Sequence, residues 1–320
     1  MTNSKLFLSA RHVTKSYGDT PALKGIDLDL YAGEILALLG PNGAGKTTFI
    51  KIIATLLAKT AGRVQILGHD LDQDLRSIRH LFGYVGQDTD RSAYARLTVR
   101  QNLQFFGLLR GLNKRTIQEQ QDKLAGFFDF RENLDKLFMH LSGGQKQTVV
   151  IMRALLHDPP IIYLDEPTKG LDPIIGKKIR AFLKTYVHQE NKALLLTSHI
   201  LTEVDEMADR VALIHDGRIG VVGTPSELKQ SVGAAHFIEL ERDKVPTAVC
   251  ERITALPSVT GILERELAWL SFGLDDPFAG TEAVMRILQE ENIVTKFRNQ
   301  GVSLEDAFIH HIGALNSKFD

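Results

Sequence analysis

The run GPNGAGKTT, Gly40 to Thr48, has the residue types needed to wrap a chain of phosphates. A loop that does this must turn several backbone N–H groups inward, and side chains would block the approach. Gly40, Gly43 and Gly45 supply a permissive backbone, with Pro41, Asn42 and Ala44 between them. Lys46 offers a point charge to the outer phosphates, the Thr47 hydroxyl can ligate Mg²⁺, and Thr48 continues into a helix start that favours an anion. Alone, the run says only that a nucleotide phosphate binds.

A second chemical grouping follows downstream. Ile161 to Leu164 are apolar and end in Asp165 and Glu166, the pattern of a buried parallel strand with charge only at its carboxyl end. Ligands of open α/β sheets sit at those ends, so Asp165 reads as the magnesium-side carboxylate of a P-loop ATPase. ALLLTSHI, Ala193 to Ile200, repeats the pattern and ends near His199. A lone histidine after a strand is more often structural than catalytic. A third segment, LSGGQ, suits a helix start: Ser142 can cap a helix opening near Gly143, with Gln145 closing a capping box. A glycine-rich helix start with a capping serine is also an anion site.

The elements that must position these residues are legible. Glu34 to Leu39 form a mostly apolar run of strand length before the glycine loop, and Thr48 to Leu57 read as an apolar-faced helix after it. Residues 5–38 alternate like strands, with turns at Tyr17–Gly18–Asp19 and Ala32–Gly33. Between Gln87 and His140 the pattern is helical. Thr98 and Gln101 form a capping box that opens a helix through Leu109.

In this order, GPNGAGKTT, LSGGQ and IIYLDEP resemble the nucleotide-binding cassette of ABC transporters, over residues 5–230. The resemblance implies an α/β fold: a P-loop NTPase with a RecA-like core, an antiparallel β subdomain and a helical subdomain at about 88–158. It implies ATP and Mg²⁺ as ligands. Glu166 would polarise the attacking water, and His199 would contact the γ-phosphate and help hold that water. Tyr17 corresponds to the aromatic that stacks on adenine, with a strand-end tyrosine as the alternative. Gln87 corresponds to the glutamine that senses Mg²⁺ and borders the membrane-domain contact, in a groove that Phe105 and Phe106 could line. Ser142, Gly143, Gly144 and Gln145 would face ATP held by a second cassette, and Asp172 in GLDP would cross that interface. The resemblance thus implies dimerisation with a second ATP-binding cassette; a homodimer is the expectation, although the chemistry does not distinguish it from a heterodimer. Two positions depart from the family pattern. Gly86 replaces a usual proline, which loosens that loop, and Thr148 replaces a usual basic residue, which affects a surface contact.

Composition bounds the rest. At 320 residues the chain suits one large and one small domain. Formal net charge is −1, but residues 1–230 carry 30 Lys+Arg against 25 Asp+Glu, and residues 231–320 carry 8 against 14. The positive excess is too small and scattered for a nucleic-acid surface. The single cysteine, Cys250, excludes an intramolecular disulfide and fits a reducing compartment. No run approaches 18 apolar residues, and the N-terminus lacks the apolar core of a signal peptide. A transport role therefore needs an integral membrane permease as a separate partner, with this chain peripheral on the cytoplasmic face of the plasma (inner) membrane. Residues 231–320 alternate as βαββαβ, which suggests a ferredoxin-like α+β domain: strands at 235–241, 258–264, 267–274 and 293–299, helices at 246–256 and 278–292, and a closing helix from Ser303. That tail resembles the daunorubicin-resistance branch of drug exporters, and it could serve a structural role as readily as a regulatory one. The leading expectation is an exporter's ATPase subunit. A soluble single-cassette ABC ATPase for cofactor assembly or repair is the alternative. A P-loop GTPase or small-molecule kinase is disfavoured by LSGGQ and by the lack of an Asn-Lys-x-Asp motif.

Overall fold

Three strands without a charged side chain in their interior form the centre of the structure, because a strand buried on both faces cannot carry one at low cost. They are β3 (Ile35–Leu39), β7 (Ile161–Asp165) and β8 (Ala193–Thr197), and every residue in them is buried. The computed structural model describes residues 5–88, 92–234, 236–263 and 267–319. Ala235 and Glu264, which the sequence pattern assigned to strands, and residues 89–91 near the start of the helical stretch lie outside the described residues.

The chain divides into two compact units, Met1–Val222 and Gly223–Asp320. In the first, a six-stranded sheet has the order β10-β9-β3-β8-β7-β6, with β6 at Phe82–Val85, β9 at Arg210–His215 and β10 at Arg218–Gly223. Strands β6, β7, β8, β3 and β9 run parallel. A four-stranded antiparallel sheet has the order β2-β1-β4-β5, built from β1 (Leu6–Tyr17), β2 (Thr20–Tyr31), β4 (Ala61–Ile66) and the short β5 (His69–Asp70). One apolar core joins the two sheets: Leu8 and Ile26 of the antiparallel sheet pack in one cluster with Phe49 and Ile50 of α1 (Lys46–Ile53) and with Leu36 and Tyr163.

Helix α1 stops earlier than the apolar pattern predicts. Thr55 takes φ 57°, and the N–H groups of Leu56 and Leu57 turn back to the Lys51 carbonyl. A single-turn helix, α2 (Leu75–Ile78), precedes β6. The helical stretch comprises α3 (Val99–Leu109), α4 (Lys114–Phe127) and α5 (Gly143–Leu155). Thr98 and Gln101 form the predicted capping box: the Gln101 N–H donates to Thr98 Oγ1 at 3.1 Å, and the Thr98 N–H donates to Gln101 Oε1 at 2.9 Å. Helix α6 (Pro173–Gln189) follows β7, and α7 (Leu201–Met207) follows β8. No helix among the described residues is long and apolar enough to cross a membrane.

In the second unit, β11 (His236–Glu241), β12 (Val259–Leu263), β13 (Trp269–Leu274) and β14 (Phe297–Gly301) form an antiparallel sheet of order β12-β13-β11-β14. With α9 (Thr247–Thr254) and α10 (Pro277–Glu290) as crossovers, this is the ferredoxin-like arrangement. Ile238, Phe272, Val284 and Ile253 form its core. The last strand begins later than predicted, because Asn292 takes φ 52° after α10 and pairing with β11 starts only at Phe297. The boundary also moves. Helix α8 (Pro225–Gln230) belongs to this unit and packs on α11 (Leu304–Phe319), whereas the sequence pattern placed it at the end of the cassette.

Candidate active site

Parallel pairing sets the site. Register places Asp165 of β7 opposite Thr197 of β8, and β3 beside β8 delivers the glycine loop to the same carboxyl end of the sheet. Lys46, at the first position of α1, is buried, and its Nζ donates to the carbonyls of Gly40 at 2.6 Å and Pro41 at 3.0 Å. Burial lowers its pKa below the ordinary lysine value, and the charges of Glu166 and Asp165 partly offset that.

The loop glycines answer to two constraints. A Cβ at Gly40 would lie 2.1 Å from the Ile214 carbonyl oxygen, and one at Gly45 would lie 2.6 Å from Leu23 Cδ2 and 2.9 Å from the Ala22 oxygen. Both are therefore required by neighbouring chain. Gly43, at φ 82° with open space around it, is required by its backbone conformation.

Asp165, 1% exposed, is the hub. Its Oδ1 accepts from Thr197 Oγ1 at 2.6 Å and lies 3.4 Å from both Thr47 Oγ1 and Gln87 Nε2. Gln87 Nε2 also reaches Thr47 Oγ1 at 3.2 Å. Asp165 Oδ2 is buried and has no hydrogen-bond partner among the described residues. A buried carboxylate oxygen without a donor is costly, and a hard cation is the group that would satisfy it. The donors at hand, one hydroxyl and one carboxylate with an amide beside them, fit Mg²⁺, which usually keeps waters and takes phosphate oxygens as further ligands. Among the described residues no group of three or more His, Cys, Asp or Glu side chains forms an all-protein metal cage.

Glu166 adopts the left-handed conformation, φ 55°, which is strained for a residue with a Cβ. Two bonds from its N–H hold it there, to the Thr197 carbonyl at 3.2 Å and to Thr197 Oγ1 at 3.1 Å. Its side chain is 8% exposed, with Oε2 2.7 Å from Lys169 Nζ and Oε1 3.4 Å from His199 Nδ1. Burial pushes its pKa up, but the hydrogen bond and charge of Lys169, with His199, outweigh that and hold the carboxyl below the ordinary glutamate value. Thr197 and Lys169 are functional neighbours that sequence reasoning missed. The signal for Lys169 was its place three residues after Glu166; Thr197 could be found only through the strand register.

The other candidate residues make no hydrogen bond to this cluster among the described residues. Ser142 caps α5, accepting from the Gln145 N–H at 3.3 Å, while its own N–H donates to Gln145 Oε1 at 3.0 Å. Asp172 caps α6 through the N–H groups of Ile174 and Ile175. These helix starts adjoin, since a Cβ at Gly144 would lie 2.8 Å from Ile175 Cδ1 and 3.7 Å from Asp172 Oδ2. Tyr17, 52% exposed, ends β1 in the hairpin whose Ala22 and Leu23 abut Gly45, and Lys15 Nζ sits 5.3 Å from its ring centroid.

A parallel sheet with a glycine loop entering a helix, and with a buried carboxylate at the end of a neighbouring strand, defines a P-loop ATPase cassette. The chain belongs to the ABC transporter family, as an ATP-binding protein with ATPase activity: the ABC transporter family model matches residues 23–169, and full-length relatives carry the match through the second unit. It is 33% identical to the daunorubicin resistance ATP-binding protein DrrA3 of Streptomyces coeruleorubidus, over 93% of this chain and 93% of that protein. Among solved structures, it resembles cbiO1 from Clostridium perfringens, part of the transporter complex cbiONQ, with a TM-score of 0.65 and 28% identity over 72% of this chain and 94% of that one. The post-hydrolysis dimer of the cassette MJ0796, bound to ADP and Pi, gives a TM-score of 0.62 and 27% identity over 68% of this chain and 98% of that one.

Proposed function

We propose that this chain is the ATP-hydrolysing subunit of an exporter, in which two copies close around ATP and thereby move a separate integral membrane permease from its cytoplasmic face. In this reading Lys46 and the N–H groups of Gly40 to Thr48 hold the phosphates, and Tyr17 stacks on the base. Thr47, Asp165 and Gln87 would hold Mg²⁺, which supplies charge neutralisation between the outer phosphates. Glu166 orients and polarises the attacking water, kept ionised by Lys169, and His199 holds that water against the γ-phosphate. Ser142 to Gln145 and Asp172 face the nucleotide of the second copy.

The observation that supports the reading is a second anion-ready helix start that makes no hydrogen bond to this chain's own phosphate loop. Lys46, Thr47, Gln87, Asp165, Glu166 and His199 gather at the carboxyl end of the parallel sheet. Among the described residues, no hydrogen bond joins the Ser142–Gln145 helix start to the Gly40–Thr48 loop. A glycine-rich helix start that does not serve its own chain's phosphates is free to serve a neighbour's. The dimer of MJ0796 and the resistance role in the name of DrrA3 point the same way.

The test is recovery of the tagged chain from detergent-solubilised native membranes. A polytopic integral protein recovered at about equal amounts supports the reading. A soluble ATPase dimer without one would move it to an assembly or repair ATPase.

A further inference from the structure

Glu166 and His199, read above as holding the attacking water, sit on different loops. Glu166 follows β7 and His199 follows β8, so their spacing depends on more than the register of two strands. Two residues past Glu166, Thr168 is buried, and its Oγ1 donates to Glu203 Oε2 at 2.5 Å. Glu203 lies in the first turn of α7, and its own N–H donates to the Ile200 carbonyl at 3.1 Å, one residue past His199. One carboxylate thereby joins the turn after Glu166 to the turn after His199.

The other oxygen of that carboxylate, Oε1, accepts from Arg180 of α6. The side chains of Arg180 and Glu203 are 16% and 17% exposed, so the pair is largely withdrawn from water. Gly176, one turn earlier on α6, leaves room for it: a Cβ there would lie 3.3 Å from Arg180 Nη1 and 3.8 Å from Glu203 Oε1. On its other side the turn after Glu166 is held by α5, where Gln147 Nε2 donates to the Pro167 carbonyl at 2.9 Å. Among the described residues, neither Thr168 nor Glu203 bonds to Lys46, Thr47, Gln87 or Asp165. A purely architectural link between α6 and α7 needs only the Arg180–Glu203 pair. The Thr168 bond adds nothing to that link; it restrains the segment next to Glu166, whose left-handed backbone is strained.

We propose that Glu203 is a positioning residue for hydrolysis. Through Thr168 and the first turn of α7 it sets the spacing of Glu166 and His199, while Arg180 orients its carboxylate. The inference rests on the roles read above for Glu166 and His199, and adds the group that holds them together. Displacing a reacting group by about 1 Å costs on the order of 10²-fold in rate, so loss of the tie acts on turnover and spares ATP binding.

The experiment is steady-state ATPase of the full chain. Thr168→Val removes the hydroxyl and keeps the volume; Arg180→Met with Glu203→Met removes the carboxylate without leaving a buried charge. Each should lower kcat by roughly ten- to a hundredfold, with KM for ATP within about twofold of wild type. Combining all three changes should cost no more than the methionine pair, because one tie is broken in both. Glu203→Gln should keep most of the turnover, since its amide oxygen can accept from Arg180 and its NH₂ can donate to Thr168 Oγ1. Placed in Glu166→Gln, Thr168→Val should leave the residual turnover unchanged, with no carboxylate left to position. If the methionine pair melts below the assay temperature, Thr168→Val alone decides. A wild-type kcat in Thr168→Val, a matching rise in KM, or the same fall in the Glu166→Gln background overturns the inference. Near-normal turnover of Glu166→Gln by itself overturns instead the reading on which it rests.

Discussion

Replacing Thr197 by valine removes one hydroxyl from the centre of the site and leaves its shape almost unchanged. That hydroxyl is buried, donates to Asp165 Oδ1 at 2.6 Å, and accepts from the Glu166 N–H at 3.1 Å. The bond to the carboxylate is charge-assisted, and its loss costs about 1.5–3 kcal/mol. The Glu166 N–H keeps the Thr197 carbonyl at 3.2 Å, so the second loss is smaller, roughly 0.5 kcal/mol. Valine fills the same volume, so no cavity is added. The sum, about 2–3.5 kcal/mol, corresponds to a fall in melting temperature of roughly 5–10 °C for a unit of this size. Turnover should fall as well, since the left-handed backbone at Glu166 loses one of its two restraints. The assay is thermal unfolding and steady-state ATPase of Thr197→Val beside Thr197→Ser, which keeps the hydroxyl and should remain within about 2–3 °C of wild type. If Thr197→Val melts with the wild type, the hydroxyl does not tie Asp165 to Glu166 and the reasoning fails.

Two further predictions follow from single residues. Glu166→Gln should bind ATP, lose about 10²–10⁴-fold in turnover, and accumulate as a dimer in MgATP; near-normal turnover would remove Glu166 from the chemistry. His157 is held neutral, its pKa lowered from 6.5 to about 4 by burial and by Arg110, while Nε2 lies 3.1 Å from the Phe82 carbonyl. Protonation is thus easier in the unfolded chain, so stability is fully present above pH 6.5 and is lost as pH falls toward 4, by roughly 3 kcal/mol. His157→Gln should flatten the decline of melting temperature between those pH values, and an unchanged slope would contradict the assignment.

Local rules made much of this molecule legible. Apolar runs of strand length gave β3, β7 and β8, the last two ending in polar residues, and the Ser-x-x-Gln and Thr-x-x-Gln patterns gave the starts of α5 and α3, because capping acts within four residues. The contacts that complete the site were not legible. The bond from Thr197 to Asp165 depends on the register between β7 and β8, and the ion pair of Lys169 with Glu166 depends on the left-handed turn at Glu166. Likewise the need for glycine at position 40 comes from the Ile214 carbonyl, far along the chain.

The central claim is that ATP is shared between two copies, with Lys46 from one and Ser142 from the other. It is tested most directly by mixing two inactive variants, Lys46→Ala and Ser142→Ala, and measuring ATPase activity. Each homodimer lacks one half of every site, but a mixed dimer rebuilds one complete site from the intact Lys46 of one copy and the intact Ser142 of the other. The account predicts activity well above that of either variant alone. A mixture no more active than the mean of its two parents would contradict it.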